Sequence, residues 1–389
     1  MSAVQLDHLT LSHAMIADVK GTVDVVLIDD KPEKVAGWLT PSDPTAVQQE
    51  KLRERVGNTG EWLLESPEYK CWKDGSTESR TLWCPGGPGV GKSVLASIIL
   101  NALQSPICEK TLVLSVFCDH QSANTQTVEN ILRGFLKQRV QVHGLSDSIT
   151  FFYDNNTPLF FDDLTEVLVE ELQSFNRVYI ILDALDEFPE DDGGQEKLIN
   201  ALRMLGSNTR LLVMSRDLPT MASLFRTDTR LDIRAANEDI KTYIMSRLSC
   251  GRLARHIEGR DYLRREILSG VTTRAGGVFL LARMHMASLA ESKSQKILRD
   301  ALRKLPSNIW EAYDNVLEKV NCQSKDRKEL AYRILGWIAF ARPPLAVLEL
   351  RYALAVESKM RSFWGISVPG LSSRTTPIAS SKIFGQAEL

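Results

Sequence analysis

Gly86-Gly87-Pro88-Gly89-Val90-Gly91-Lys92-Ser93 is the stretch that decides the fold of this 389-residue chain. It satisfies G-x-x-x-x-G-K-[ST] and follows the short apolar run Thr81-Leu82-Trp83-Cys84. Behind it Val94, Leu95, Ile98, Ile99, Ala102 and Leu103 recur at helical spacing. A buried strand, a glycine-rich turn and an amphipathic helix, in that order, are the context in which this pattern holds phosphate. Glycines let successive backbone N–H groups face one anion without Cβ clashes, and the helix adds its positive end. Lys92 is expected to reach the β- and γ-phosphates of a nucleoside triphosphate, and the Ser93 hydroxyl to take a place on Mg²⁺. The competing reading is a glycine-rich turn beside an ordinary surface lysine; it leaves the flanking strand and helix unexplained.

Magnesium and an attacking water need carboxylates opposite such a loop. Val178-Tyr179-Ile180-Ile181-Leu182-Asp183-Ala184-Leu185-Asp186-Glu187 supplies them. Asp183 emerges at the carboxyl end of a buried strand, where open α/β sheets bind ligands, and is expected to hold Mg²⁺ through water. Asp186 and Glu187 lie just beyond, placed to orient or polarise the hydrolytic water. The acids at Glu190, Asp191 and Asp192 read instead as a solvated turn. The next apolar run ends in Val213-Met214-Ser215-Arg216. Arg216 either senses the γ-phosphate or is a solvated strand-terminal arginine, and the residues alone do not choose.

Further outward, short apolar runs at 23–28, 112–118, 178–182, 211–214 and 231–233 alternate with helical stretches such as 164–175 and 195–205. Buried runs of about five residues between helices predict an α/β fold, a parallel sheet covered on both faces. From Glu238 to Val356 the periodicity is almost wholly helical. The Ser-, Thr- and Pro-rich residues 365–389 have little to bury and are expected to be disordered.

Composition excludes several classes. The chain is 43% hydrophobic and 25% charged, with a net charge of −2 and a pI near 6.4, so nothing global favours nucleic acid. Apolar runs fall far short of a membrane span, and no secretory signal precedes the first residues. Six cysteines without a CxxC pair read as reduced thiols, and cytoplasm is the expected location. Arg252, Arg255, Arg260, Arg264 and Arg265 are interrupted by Glu258, Asp261 and Glu266, the pattern of a solvated face. Cys84 beside the loop is either an oxidation sensor or a small buried hydrophobe.

These elements together resemble the NACHT family of signal-transduction ATPases, within the P-loop class called STAND. The tiny Ala184 after the magnesium aspartate, with acids three positions on, is the most diagnostic piece. The likeness is strongest to NACHT proteins of filamentous fungi and runs from about Trp38 to Val356. Segments that carry it include Trp38-Leu39-Thr40-Pro41-Ser42-Asp43-Pro44, Thr59-Gly60-Glu61-Trp62, Glu238-Asp239-Ile240, Ala275-Gly276-Gly277-Val278-Phe279 and Ile334-Leu335-Gly336-Trp337. The resemblance implies a sheet of order 5-1-4-3-2 in a core over 38–235 after a short leader, 1–37. A helical domain over 236–305 and part of a winged helix over 306–364 follow. It also implies ATP and ADP as ligands (GTP is not excluded), slow hydrolysis, and a switch in which ADP holds a closed state. Homo-oligomers or related NACHT proteins are the implied partners, and nonself recognition or programmed cell death the implied role.

Three departures bear on that expectation. No histidine occurs after His285, so a winged-helix histidine gripping ADP is missing. Phe279 stands where plant-type relatives carry a nucleotide-contacting proline, which suggests aromatic packing instead. Sensor repeats and an effector domain are absent from the chain, which leaves a second reading, a nucleotide-binding interaction protein without useful turnover. Trp62 and Thr59-Gly60 either border the base or simply pack a helix.

Overall fold

The computed structural model describes residues 14–355, apart from 20–21, 28–29, 41–43, 106–109, 123–124, 191–192, 250 and 342–344. The expected tail and the end of the winged-helix region lie outside the described residues, as do Asp191 and Asp192.

Five strands form one parallel sheet: β1 (Thr81–Pro85), β2 (Thr111–Phe117), β3 (Arg177–Asp183), β4 (Thr209–Ser215) and β5 (Thr229–Arg230). Their order is β2-β3-β4-β1-β5, the expected 5-1-4-3-2 seen from the other edge. Period-two alternation splits each strand between two cores. Val178, Ile180 and Leu182 of β3 enter one hydrophobic cluster with Leu211 and Val213 of β4. Tyr179 and Ile181 enter the other with Leu212 and Met214. Helices Val128–His143, Phe161–Gln173 and Gly194–Met204 cover the first face, and helix Lys92–Gln104 the second. This double coverage is why the strands read as continuous apolar runs.

Two boundaries differ from the sequence reading. Helix Lys31–Leu39 buries Val35 and Leu39 in the first cluster, so the core draws on residues ahead of the expected start at Trp38. In place of a strand over 231–233, the two-residue β5 lies just ahead of it and Ile233 makes one isolated bridge with Gly86. Farther upstream, Ala14–Val19 and Thr22–Leu27 pair as an antiparallel hairpin.

A third cluster gathers Ile240, Ile244, Leu263, Ile267, Met286 and Leu298 from helices between Asn237 and Arg303. Helices Ile309–Asn321, Lys325–Phe340 and Val347–Ala355 follow, and among their described residues only Ala312 is buried.

Register then positions the chemistry. Pro85 pairs with Ser215, and Leu182 with Val213. Gly86, Asp183 and Arg216 therefore stand beside each other at the carboxyl ends of the three central strands.

Candidate functional site

The loop is anchored before it turns. The Gly86 amide donates to the Ser215 carbonyl at 3.0 Å, and the Ile233 amide to the Pro85 carbonyl at 2.7 Å. Gly89 and Gly91 then take left-handed backbone (φ 72° and 101°), which side chains resist. Lys92 Nζ donates to the carbonyls of Gly86 at 2.8 Å and Gly87 at 3.1 Å, leaving one of three ammonium hydrogens for another acceptor. Burial lowers the Lys92 pKa, with the charges of Asp186 and Asp183 opposing.

The acidic strand arrives opposite. Asp183 is 3% exposed. Burial pushes its carboxyl up to about 6, against a hydrogen bond from the Ser93 side chain and the charge of Lys92. Its Oδ1 is buried without a hydrogen-bond partner. A deeply buried acceptor of this kind, beside a serine hydroxyl, fits a hard divalent cation. Ala184 follows in left-handed backbone (φ 55°) and turns the chain into the short 3-10 helix Leu185–Glu187. Asp186 is fully engaged by Arg216: Oδ1 accepts the Arg216 backbone N–H at 2.9 Å, and Oδ2 lies 3.2 Å from its Nε. Glu187 is raised by burial, with the charge of His120 opposing.

Two neighbouring cavities lie over the loop. One, of about 360 Å³, is lined by Lys92, Ser93, Ala184, Asp186, Glu187 and Arg216 among others. The second, of about 430 Å³, has Thr59, Gly60, Trp62, Val94, Asp239 and Tyr243 on its walls. Glu54, Gly91, Val94, Phe279 and Arg283 border both. The predicted loop residues, Asp186, Glu187 and Arg216 are thus brought together, with Asp183 buried behind them. Trp62 and the Thr59-Gly60 pair stand at the second cavity. Phe279 packs against Tyr243, ring centroids 5.1 Å apart. Cys84 is fully buried in the second core and its thiol pKa is pushed up, the environment of a small hydrophobe.

Other contacts escaped the sequence reading. Asp239 accepts the Gly60 amide at 2.9 Å and a hydrogen bond from the Trp62 side chain, joining the segment before the sheet to the helical part. The Leu280 amide, at the start of helix Phe279–Ala290, donates to the Gly89 carbonyl at 2.9 Å. A Cβ on Gly89 would lie 2.6 Å from the Leu280 Cβ, so this approach requires glycine. Glu238-Asp239 and the Gly276-Gly277 pair carried part of the resemblance, but nothing local marked Asp239, Leu280 or Arg283. A further cavity of about 360 Å³ lies at the opposite strand ends, near Arg80, Thr209 and Asp228, where Arg203 pairs with Asp228.

Among the described residues no helix is long and apolar enough to cross a membrane. The family model described as "Nephrocystin 3, N-terminal" matches residues 58–216. The chain is 28% identical over 308 residues to the "Vegetative incompatibility protein HET-E-1" of Podospora anserina, a match covering 74% of this chain. It spans 22% of that relative's length. Similar solved structures include the Walker-type ATPase paby2304 of Pyrococcus abyssi, at 10% identity and a TM-score of 0.42, covering 82% of this chain and 87% of that one. The Aeropyrum pernix ORC1 protein, solved in complex with DNA, gives 16% and 0.39, covering 91% and 86%. Phosphate loop, acidic strand, family model and relative agree: this chain is similar to the NACHT-type P-loop proteins of fungi.

Proposed function

We propose that the chain binds ATP or ADP with Mg²⁺ across the two cavities, hydrolyses ATP slowly, and uses the nucleotide as a switch. The observation that carries this reading is the orphaned Asp183 oxygen beside Ser93, under a loop whose lysine has a hydrogen still to give. Lys92 neutralises the β- and γ-phosphates, and loop amides donate hydrogen bonds to their remaining oxygens. Ser93 and Asp183 hold the cation, which when bound screens the phosphate oxygens as charge shifts during transfer. Glu187, half-buried and raised in pKa, is the group assigned to orient the water and take its proton. Asp186, occupied at both oxygens, holds Arg216, whose guanidinium meets the terminal phosphate. The base sits between Trp62 and the Tyr243–Phe279 pair.

The proposed role is nonself recognition or programmed cell death, with homo-oligomers or related NACHT proteins as partners; the name of the Podospora relative, a vegetative incompatibility protein, supports the nonself reading. The test is to purify the chain, identify any co-purified nucleotide, and measure turnover on the same sample. A purine nucleotide with slow, Mg²⁺-dependent release of phosphate supports the proposal. Nucleotide retained without turnover makes it a nucleotide-bound interaction protein, and no affinity for either nucleotide ends the assignment.

A further inference from the structure

We infer that Arg283, carried by the helical part, grips the diphosphate of the bound nucleotide from the side opposite Lys92. The inference rests on the nucleotide site proposed above and names a binding residue within it. Helix Phe279–Ala290 carries only Arg283, His285 and Ser288 as polar residues, and His285 is 1% exposed. Arg283 is exposed and borders both cavities. Among the described residues it forms no hydrogen bond or ion pair. Glu54, the one carboxylate that shares both walls with it, is paired with Lys51 at 3.5 Å.

Fold stability gives no reason for this arginine. One turn from the positive end of a helix, a cation gains nothing from the helix dipole. Among the described residues no carboxylate pairs with it, and the residue is exposed. An anion in the adjoining space supplies the missing partner.

Position identifies which anion. The residues common to both cavities mark the neck between them, and Gly91 of the phosphate loop is one of these. The base-side wall, with Trp62 and Tyr243, lies to one side; Asp186, Glu187 and Arg216 lie to the other. A nucleotide running from base to terminal phosphate passes this neck with its α- and β-phosphates. The Leu280 to Gly89 hydrogen bond fixes the start of the same helix against the loop, so the backbone that carries the arginine is held beside the neck. A guanidinium there pairs with two phosphate oxygens through its fork. ADP and ATP share those oxygens, whereas Arg216 faces the cavity expected to hold the third phosphate.

The test is titration calorimetry of the full chain with Mg·ADP and Mg·ATP, for wild type, Arg283→Ala, Arg283→Lys and Arg216→Ala. Arg283→Ala is expected to weaken both nucleotides by about tenfold or more and by equal factors. Arg283→Lys should recover part of the loss, and the melting temperature without nucleotide should not change. Arg216→Ala should weaken ATP alone. Equal binding by wild type and Arg283→Ala overturns the inference while leaving the nucleotide site intact. So does a loss confined to ATP, which would move Arg283 to the terminal phosphate. A wild type that binds neither nucleotide removes the site, and Arg283 with it.

Discussion

Asp186 holds Arg216 at two points, one carboxylate oxygen on its backbone N–H at 2.9 Å and the other 3.2 Å from its Nε. A carboxylate held in this way serves first to position the arginine. The two acids after Ala184 therefore divide the work. Glu187→Gln should keep ATP affinity and lose turnover, because the amide preserves shape without a basic oxygen. Asp186→Ala should lower turnover by misplacing Arg216. Combining it with Arg216→Ala should add little, since both remove one interaction. Steady-state phosphate release from the four variants decides this, and additive losses in the double variant would separate Asp186 from Arg216.

Lys92→Ala should weaken ATP by about 10- to 100-fold, the worth of one charge-assisted phosphate contact at a partly buried site. Nucleotide should raise the melting temperature of wild type more than that of this variant at the same concentration, because stabilisation follows the affinity of the folded state. Equal thermal shifts would remove Lys92 from the phosphates.

Asp183→Asn should have opposite effects with and without ligand. Burial raises the Asp183 carboxyl to about 6, so its charge is a liability in the nucleotide-free protein at neutral pH. Removing that charge should stabilise the nucleotide-free chain by about 1–3 kcal/mol while weakening Mg²⁺-dependent binding. Melting curves at neutral pH, with and without Mg·ATP, check both halves. A variant less stable than wild type without ligand would show that the carboxylate is well solvated after all.

Position 184 is conformationally selective. Ala184 sits at φ 55° on the wall of the phosphate-side cavity, where a β-branched residue is a backbone outlier. Ala184→Val should cost about 1–3 kcal/mol and displace the acids that follow, whereas Ala184→Gly should be nearly neutral. Denaturant titration of the two variants measures the difference, and equal stability would mean that the turn relaxes freely.

His285 predicts an acid-labile helical part. Its Nε2 lies 3.0 Å from the Pro306 carbonyl and must carry the hydrogen, while its buried Nδ1 has no partner. Burial lowers its pKa to about 4, and the charge of Arg274 acts the same way, against Pro306 and Glu311. The unfolded chain takes up a proton near pH 6.5 and the folded chain only near 4. Stability is therefore whole above about 6.5 and falls as the pH drops toward 4. Melting temperatures at pH 7.5 and 5.0 should diverge less for His285→Gln than for wild type; an equal drop would place the acid sensitivity elsewhere.

Much of this site was legible because its signals are local. A strand, eight loop residues and a helix are contiguous from Thr81 to Gln104, and Asp183 follows its own strand directly. Periodicity separates strand from helix over such short spans without knowledge of the fold. Asp239 and Gly60 meet across 179 positions, and Asp186 reaches Arg216 across 30. Such contacts depend on how the helical part packs and on strand register, neither of which leaves a periodic trace. Arg283 was invisible for the same reason: in the sequence it is one arginine in an apolar helix, and only packing puts it over the loop. Helix Lys31–Leu39 was missed as core because its buried face, Val35, Ala36 and Leu39, is too short to show a period.

The glycine at the tip of the phosphate loop has a mechanical meaning. Its carbonyl carries the helical part on the Leu280 amide, and its bare Cα leaves the clearance that lets the two bodies touch. A methyl group there would act as a shim, driving the helix outward while leaving the loop's amides, Lys92 and the acids in the sequence. Hinge angle and phosphate chemistry, fused at one residue in the native chain, would become separately adjustable. With the Asp239 to Gly60 hydrogen bond, this bearing surface, one residue wide, couples the phosphate loop to the helical part.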